Sequence, residues 1–204
     1  MAGPGPLAPE TEVRILDWQP QTLYIRIMNN EAWKSSNGPG DKWQTPPNLW
    51  NEIRRDILKL HPRTRVFDPC PGVQALPKTI CGQGDGLMSD WKKYPITFVN
   101  PPFSNIYPWA EKAALTADSK HCILMLVPAR PDQMWWEYFV PYASLIFIRG
   151  RVRYVKPNGK TGKSPAFPSV LLKFGSKVQN QFWWPMCHQE RARKHAELML
   201  RNQG

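Results

Sequence analysis

The run HCILMLV at 121–127 constrains the fold more than any other segment, because it is apolar almost without interruption and lies between two stretches of helical character. A strand with one wet face alternates apolar and polar residues. A continuous apolar strand must be covered on both faces, as in a parallel sheet flanked by helices. Two shorter segments, RVFD at 65–68 and TFV at 97–99, also read as strands, and each runs straight into a turn: Pro69-Cys70-Pro71-Gly72 after the first, Asn100-Pro101-Pro102-Phe103 after the second. After Thr45-Pro46-Pro47, residues Leu49, Ile53, Ile57 and Leu60 make one apolar stripe, which predicts a helix with Thr45 as its N-cap and proline in its first turn. Further helices are predicted at 109–117 and 132–139. Near the end, 144–154 and 169–174 read as two strands joined by KPNGKTGKSPAF, whose Asn158-Gly159 is a reverse-turn signal. The expected class is α/β, a mainly parallel sheet closed by an antiparallel hairpin.

A chain of 204 residues with 42% hydrophobic side chains is the size of one domain with short decorations. The first dozen residues, rich in Pro, Gly and Ala, carry no apolar period. A small hairpin is expected at 13–28 and a joint at 35–41 (SSNGPGD). The predicted organisation is a flexible arm over 1–40, a main domain over 41–175 and a basic extension over 176–204, helical at 188–201. No basic segment followed by an apolar one opens the chain, and no apolar run approaches the roughly 20 residues of a bilayer span. An intracellular location is therefore expected: the cytoplasm of a bacterial or phage-infected cell, or the nucleus of a eukaryotic one. Cys70, Cys81, Cys122 and Cys187 share no C-x-x-C spacing, so reduced thiols are expected and no metal site. The pairs Trp135-Trp136 and Trp183-Trp184 are expected in the core.

Lys and Arg number 27 against 16 acids, a net charge of +11, which points to a polyanionic partner. Between 149 and 177 stand Arg149, Arg151, Arg153, Lys156, Lys160, Lys163, Lys173 and Lys177 with no Asp or Glu. In a strand the three arginines share one face. Lys156, Lys160 and Lys163 fall on the connecting loop, which is long enough to follow a phosphate backbone. DNA phosphates are the expected partner of Arg149, Arg151, Arg153, Lys156, Lys160 and Lys163; the bland alternative is a solvated face.

In open α/β sheets ligands sit beyond the carboxyl ends of the strands, which directs attention to VFDPCPG and FVNPPF. The second has a logic for methylating an exocyclic amine, whose lone pair is delocalised into its ring. The Asn100 side-chain oxygen and the Pro101 carbonyl can each accept one amino hydrogen and draw the nitrogen toward tetrahedral geometry. Proline fixes the direction of that carbonyl, and Phe103 offers a flat face to a base rotated out of a duplex. No strong general base is required, because the proton is acidic once the methyl has transferred.

The order Thr-Pro-Pro, Asp-Pro-x-x-Gly, Asn-Pro-Pro-Phe resembles the motifs of amino-methyltransferases that use S-adenosylmethionine. More specifically, D-x-W-x-T-P-P-x-L (41–49), V-F-D-P-C, D-G-L…W (85–91), V-N-P-P-F-S, L-V-P-A-R…W-W (126–136) and G-R-V-R-Y (150–154) resemble the phage-type DNA N6-adenine methyltransferase family over about 41–174. That resemblance implies a Rossmann-like methyltransferase fold and methyl transfer to adenine N6 in DNA. It implies Asn100, Pro101, Pro102 and Phe103 as the target-base pocket. Asp68, Pro69 and Gly72 would line the cofactor, with Asp68 bonding its amino group; Thr45 and Pro46 would hold the methionine end, and Asp85 would contact ribose or adenine.

Other readings stand beside this one. Asp68 could merely cap a turn, and Asp85 lies between glycines where turn residues are common. Cys70 follows the first strand and not the Asn-Pro-Pro strand, so a covalent thiol mechanism is not expected. The same chemistry on RNA adenine or on cytosine N4, and a binding module that has lost the chemistry, are the alternatives. Cofactor binding and product nucleosides separate them.

Overall fold

The computed structural model describes residues 41–175 and 181–183. The expected hairpin at 13–28, most of the joint at 35–41 and the helix at 188–201 lie outside the described residues, as does Cys187.

Among the described residues seven strands form one sheet: β1 (Val66–Asp68), β2 (Thr79–Cys81), β3 (Ile96–Val99), β4 (Cys122–Pro128), β5 (Ser144–Ile148), β6 (Ser169–Phe174) and β7 (Gln181–Trp183), in the spatial order β2-β1-β3-β4-β6-β5-β7. Strands β2, β1, β3 and β4 pair in parallel. Only β6 is reversed, pairing antiparallel with both β4 and β5, while β7 runs parallel to β5. The protein is thus mixed α/β with a mostly parallel sheet and an antiparallel hairpin, β5–β6, within it.

Helix α1 (Pro47–Glu52) and the turn that follows it lay Leu49, Trp50 and Ile53 on one face of the sheet, against Val66, Phe98, Leu124, Leu126, Ile146 and Leu171. Helix α2 (Tyr107–Thr116) packs on β4 and against α3 (Met134–Phe139). Residues 123–128 of β4 are all buried, as a strand covered on both faces requires.

Three local expectations need correction. Thr45 is not the helix cap: Pro46 holds that place with no side-chain cap, and its carbonyl accepts from Trp50 N at 3.0 Å. The α1 stripe does not continue as α-helix to residue 60. It widens into a π turn over Ile53–Ile57 and stops where Lys59 takes φ 49°, because Leu58 N bonds back to Ile53 and Leu60 N to Arg54. Strand β5 ends at Ile148 and not at residue 154, since Gly150 at φ 87° turns the chain out of the ladder. Arg149 just before that turn, and Arg151 and Arg153 beyond it, are exposed while Val152 and Tyr154 are buried, so the arginines face solvent from a segment outside the sheet.

Candidate active site

Strand order makes the site. The chain moves from β1 outward to β2 and then returns to place β3 on the opposite side of β1. Connections leaving β1 and β3 therefore diverge, and a crevice opens beyond their carboxyl ends, the usual ligand position in such sheets. A cavity of about 390 Å³ occupies that crevice, within the range of small-molecule sites. Asp68 and Cys70 to Gln74 line it from the β1 turn, Asn100 from the end of β3, and Asp41 to Thr45 from the segment before α1.

Asn100 donates its side-chain N–H to the Trp43 carbonyl at 3.0 Å, which leaves Oδ1 as the free end of the amide. That oxygen is buried without a hydrogen-bond partner, and so are Thr45 Oγ1 and Gln44 Nε2. Buried polar atoms are nearly always paired, since each orphan costs about 1–3 kcal/mol. Three of them in the lining of one cavity mark a surface shaped for a polar ligand. The set offers an acceptor, a hydroxyl and a donor.

Asp68 ends β1 at 3% exposure. Its Oδ1 accepts from Cys70 N at 3.0 Å and its backbone carbonyl from Gly82 N at 2.7 Å. Burial pushes its carboxyl up to about 7, against the lowering by the Cys70 N–H. Burial, with the negative charges of Asp68, Asp41 and Asp85, pushes the Cys70 thiol up to about 12. Such a thiol is protonated at neutral pH and makes a poor nucleophile. Gly72 lies under Gln44: a Cβ there would collide with Gln44 Cγ and Cδ, so the absence of a side chain at 72 lets Gln44 reach across the turn.

Of the residues singled out from sequence, Thr45, Asp68, Gly72 and Asn100 meet at this cavity. Pro101 and Pro102 are buried behind Asn100. Phe103 is half-buried, edge-on to Tyr154 at 5.4 Å and to Phe167 at 5.9 Å. Pro46, Pro69, Pro101, Pro102, Phe103 and Asp85 are not among the lining residues; Pro69 is packed beneath Gly82 and Gly86, where a Cβ on Gly86 would collide with its carbonyl. Asp85 is exposed, and its Oδ1 accepts from Leu87 N at 2.9 Å within its own turn.

The basic loop docks on the same lining. Gln44 and Val155 exchange backbone hydrogen bonds of 2.8 and 2.9 Å, and a small turn from Val155 to Thr161 folds back around Gly159 at φ 77°. Lys156 Nζ stands 5.9 Å over the Trp43 ring, and the tip at Gly159 lies beside Gln74. Lys156, Lys160 and Lys163 are all exposed, and Lys156 is next to the cavity through Trp43.

Asp41, Trp43 and Gln44 carry no role in the sequence reading beyond their place in the D-x-W-x-T-P-P run. A polar Gln between Trp and Thr immediately before a helix start was the available signal. Its meaning depends on a pairing with Val155, 111 positions away, that local pattern does not disclose.

Among the described residues no helix is long and apolar enough to cross a membrane, and no group of three or more His, Cys, Asp or Glu is arranged to hold a metal ion. Searches of curated proteins and of solved structures return no match. The family model described as DNA N-6-adenine-methyltransferase (Dam) matches residues 34–180, which include the whole cavity lining and the basic loop. The chain belongs to the DNA N-6-adenine-methyltransferase (Dam) family, whose activity is methylation of adenine N6 in DNA.

Proposed function

We propose that this chain transfers a methyl group from S-adenosylmethionine to N6 of an adenine flipped out of duplex DNA, with a Rossmann-like sheet carrying both binding sites. The observation that carries the reading is Asn100 Oδ1, a buried acceptor with no partner at the end of β3, sharing one cavity with Asp68 and Thr45. When bound, the cofactor supplies a methyl group on a positively charged sulfur, an electrophile that needs only a nucleophile aligned with it.

The residues fit such a cofactor. Asp68 offers a carboxylate to its amino group, Thr45 and Gln44 offer orphan polar atoms to its carboxylate end, and Gly72 keeps the turn bare of a side chain. Pro46 and Pro69 shape these segments from behind. Asp85, exposed and outside the cavity lining, is proposed as a contact for ribose or adenine.

Asn100 Oδ1 and the Pro101 carbonyl accept the two amino hydrogens of the base, so the nitrogen lone pair turns out of ring conjugation. Pro101 and Pro102, rigid and buried, hold those acceptors still. Phe103, half-buried and edge-on to Tyr154 and Phe167, is proposed to stack on the extruded base. The raised thiol of Cys70 supports direct transfer without a covalent enzyme adduct. Arg149, Arg151, Arg153, Lys156, Lys160 and Lys163 hold phosphates of the duplex beside the cavity. The cytoplasm of a bacterial or phage-infected cell is the compartment proposed for this activity.

The test is to incubate the protein with tritiated S-adenosylmethionine and plasmid DNA from an unmethylated strain, then digest the DNA and identify the labelled nucleoside. N6-methyladenine is expected. Label in N4-methylcytosine, or label accepted only by RNA, would overturn the assignment.

A further inference from the structure

The segment 41–43 touches the Asn-Pro-Pro-Phe turn at two points. Trp43 O accepts from Asn100 Nδ2 at 3.0 Å. Asp41 receives two bonds from Ser104, the residue that follows the tetrapeptide: Ser104 N to Oδ1 at 3.1 Å and Ser104 Oγ to Oδ2 at 2.6 Å. The turn is therefore gripped at both ends, 100 and 104, by residues two apart on one passing chain. That chain is itself fixed downstream, where Gln44 pairs with Val155.

We propose that Asp41 is a positioning residue for the methyl transfer, acting through Ser104 to hold the tetrapeptide turn while Trp43 orients the Asn100 amide with its oxygen outward. The proposal rests on the reading of Asn100 given above. A carboxylate suits the task because its two oxygens can receive a backbone N–H and a hydroxyl from the same residue, a two-point grip that fixes orientation as well as distance. A turn held this way presents the Asn100 and Pro101 acceptors in one geometry before the base arrives. A displacement near 1 Å at such a site lowers turnover by on the order of 10²-fold. Asp41 also lines the cavity, so a direct contact with the cofactor is the rival role. The two roles predict different kinetics.

Asp41→Ala, Asp41→Asn, Ser104→Ala and the double variant Asp41→Ala/Ser104→Ala should be compared for kcat, KM for DNA and cofactor affinity. Asparagine can still accept from Ser104 N and donate to Ser104 Oγ, so it keeps the grip and loses the charge. The expected pattern is a kcat loss of about tenfold or more in Asp41→Ala, near-normal kcat in Asp41→Asn, and unchanged cofactor affinity in both. Ser104→Ala should lower kcat a few-fold in the native chain and not at all in the Asp41→Ala background. Additive losses, or a fall in cofactor affinity shared by Asp41→Ala and Asp41→Asn, would overturn the proposal. Should Asp41→Ala fail to fold, the exposed Ser104→Ala and the Asp41→Asn variants carry the test: a normal kcat in Ser104→Ala or a weakened cofactor site in Asp41→Asn would overturn it. Asn100→Ala run in parallel separates the two readings. An active Asn100→Ala means the proposed pocket is wrong, whereas an inactive one with indifferent Asp41 and Ser104 variants removes the clamp alone.

Discussion

Two clusters of buried polar atoms flank β1, and they are opposite in kind. On one side Arg54 of the π turn, 6% exposed, donates to the carbonyls of Thr64 at 2.6 Å and of Pro62 and Lys78 at 3.4 Å, with its guanidinium 5.7 Å from the centre of the Trp50 ring. Trp50 Nε1 in turn donates to Pro77 O at 2.8 Å. Burial lowers the guanidinium's proton affinity, yet the charge is kept because carbonyls surround it. Beyond the carboxyl end of the same strand, Asn100, Thr45 and Gln44 carry orphaned atoms and Asp68 sits with its carboxyl displaced to about 7. A polar group satisfied within the protein tells of folding. Thr97 Oγ1 and Trp109 Nε1 are also buried without a partner but lie outside the cavity lining. It is therefore the gathering of three orphans in one cavity lining, and not orphaning alone, that points to a ligand.

Breaking the satisfied cluster should give the largest change in stability. Arg54→Ala strands three carbonyls and is expected to lower unfolding free energy by about 2–4 kcal/mol, read by denaturant titration, while cofactor affinity of the remaining folded protein stays normal. A loss of cofactor affinity with stability intact would erase the distinction between the clusters.

Asp68→Asn should do the reverse. Its carboxyl is raised in the fold, so between the ordinary aspartate value near 3.9 and about 7 the folded protein binds the extra proton. Stability from this group is present below that window and falls as pH rises through it. The asparagine variant is expected to melt higher than the native chain at pH 8 and to bind S-adenosylmethionine more weakly, by about 1.5–3 kcal/mol. In the native chain, affinity should climb as pH rises through about 7, where the carboxylate becomes available to a cationic amino group. A flat pH profile with unchanged affinity in Asp68→Asn would reduce Asp68 to a turn residue.

The smallest expected effect lies outside both clusters. Replacing Lys156, Lys160 and Lys163 together by Ala removes up to three phosphate contacts, so the slope of log K against log salt should become shallower by up to about 2.7. Cofactor affinity should not move. Parallel lines for native and triple-variant protein would leave the turn as a solvated surface.

The strands that frame the cavity were legible because each is apolar and ends abruptly: Val66–Asp68 at a proline turn, Ile96–Val99 at Asn-Pro-Pro, Cys122–Pro128 unbroken between helices. The turn at Asn158-Gly159 was legible from its residues as well. Strand β2 was not, since Thr79–Cys81 is three residues long with no alternation and owes its conformation to parallel pairing with β1. Nor was the π turn, which depends on the wide backbone closures from Leu58 and Leu60 and on the distant carbonyls that Arg54 reaches. Motif order brought together Thr45, Asp68, Gly72 and Asn100, which line one cavity. That Thr45 would keep its hydroxyl free rather than cap the helix, and that Asp41 and Trp43 would grip the Asn100 turn, followed only from contacts across more than fifty residues.

The central claim, that the orphaned Asn100 Oδ1 is reserved for the target amine, is tested most directly by Asn100→Ala measured for turnover, cofactor affinity and melting temperature on one preparation. The expected result is a loss of turnover on the order of 10²-fold or more, cofactor affinity nearly unchanged, and a melting temperature little changed, because removing a buried unsatisfied oxygen offsets the loss of the Asn100 Nδ2 bond to the Trp43 carbonyl. Substantial methylation of DNA by the folded Asn100→Ala protein would contradict the account.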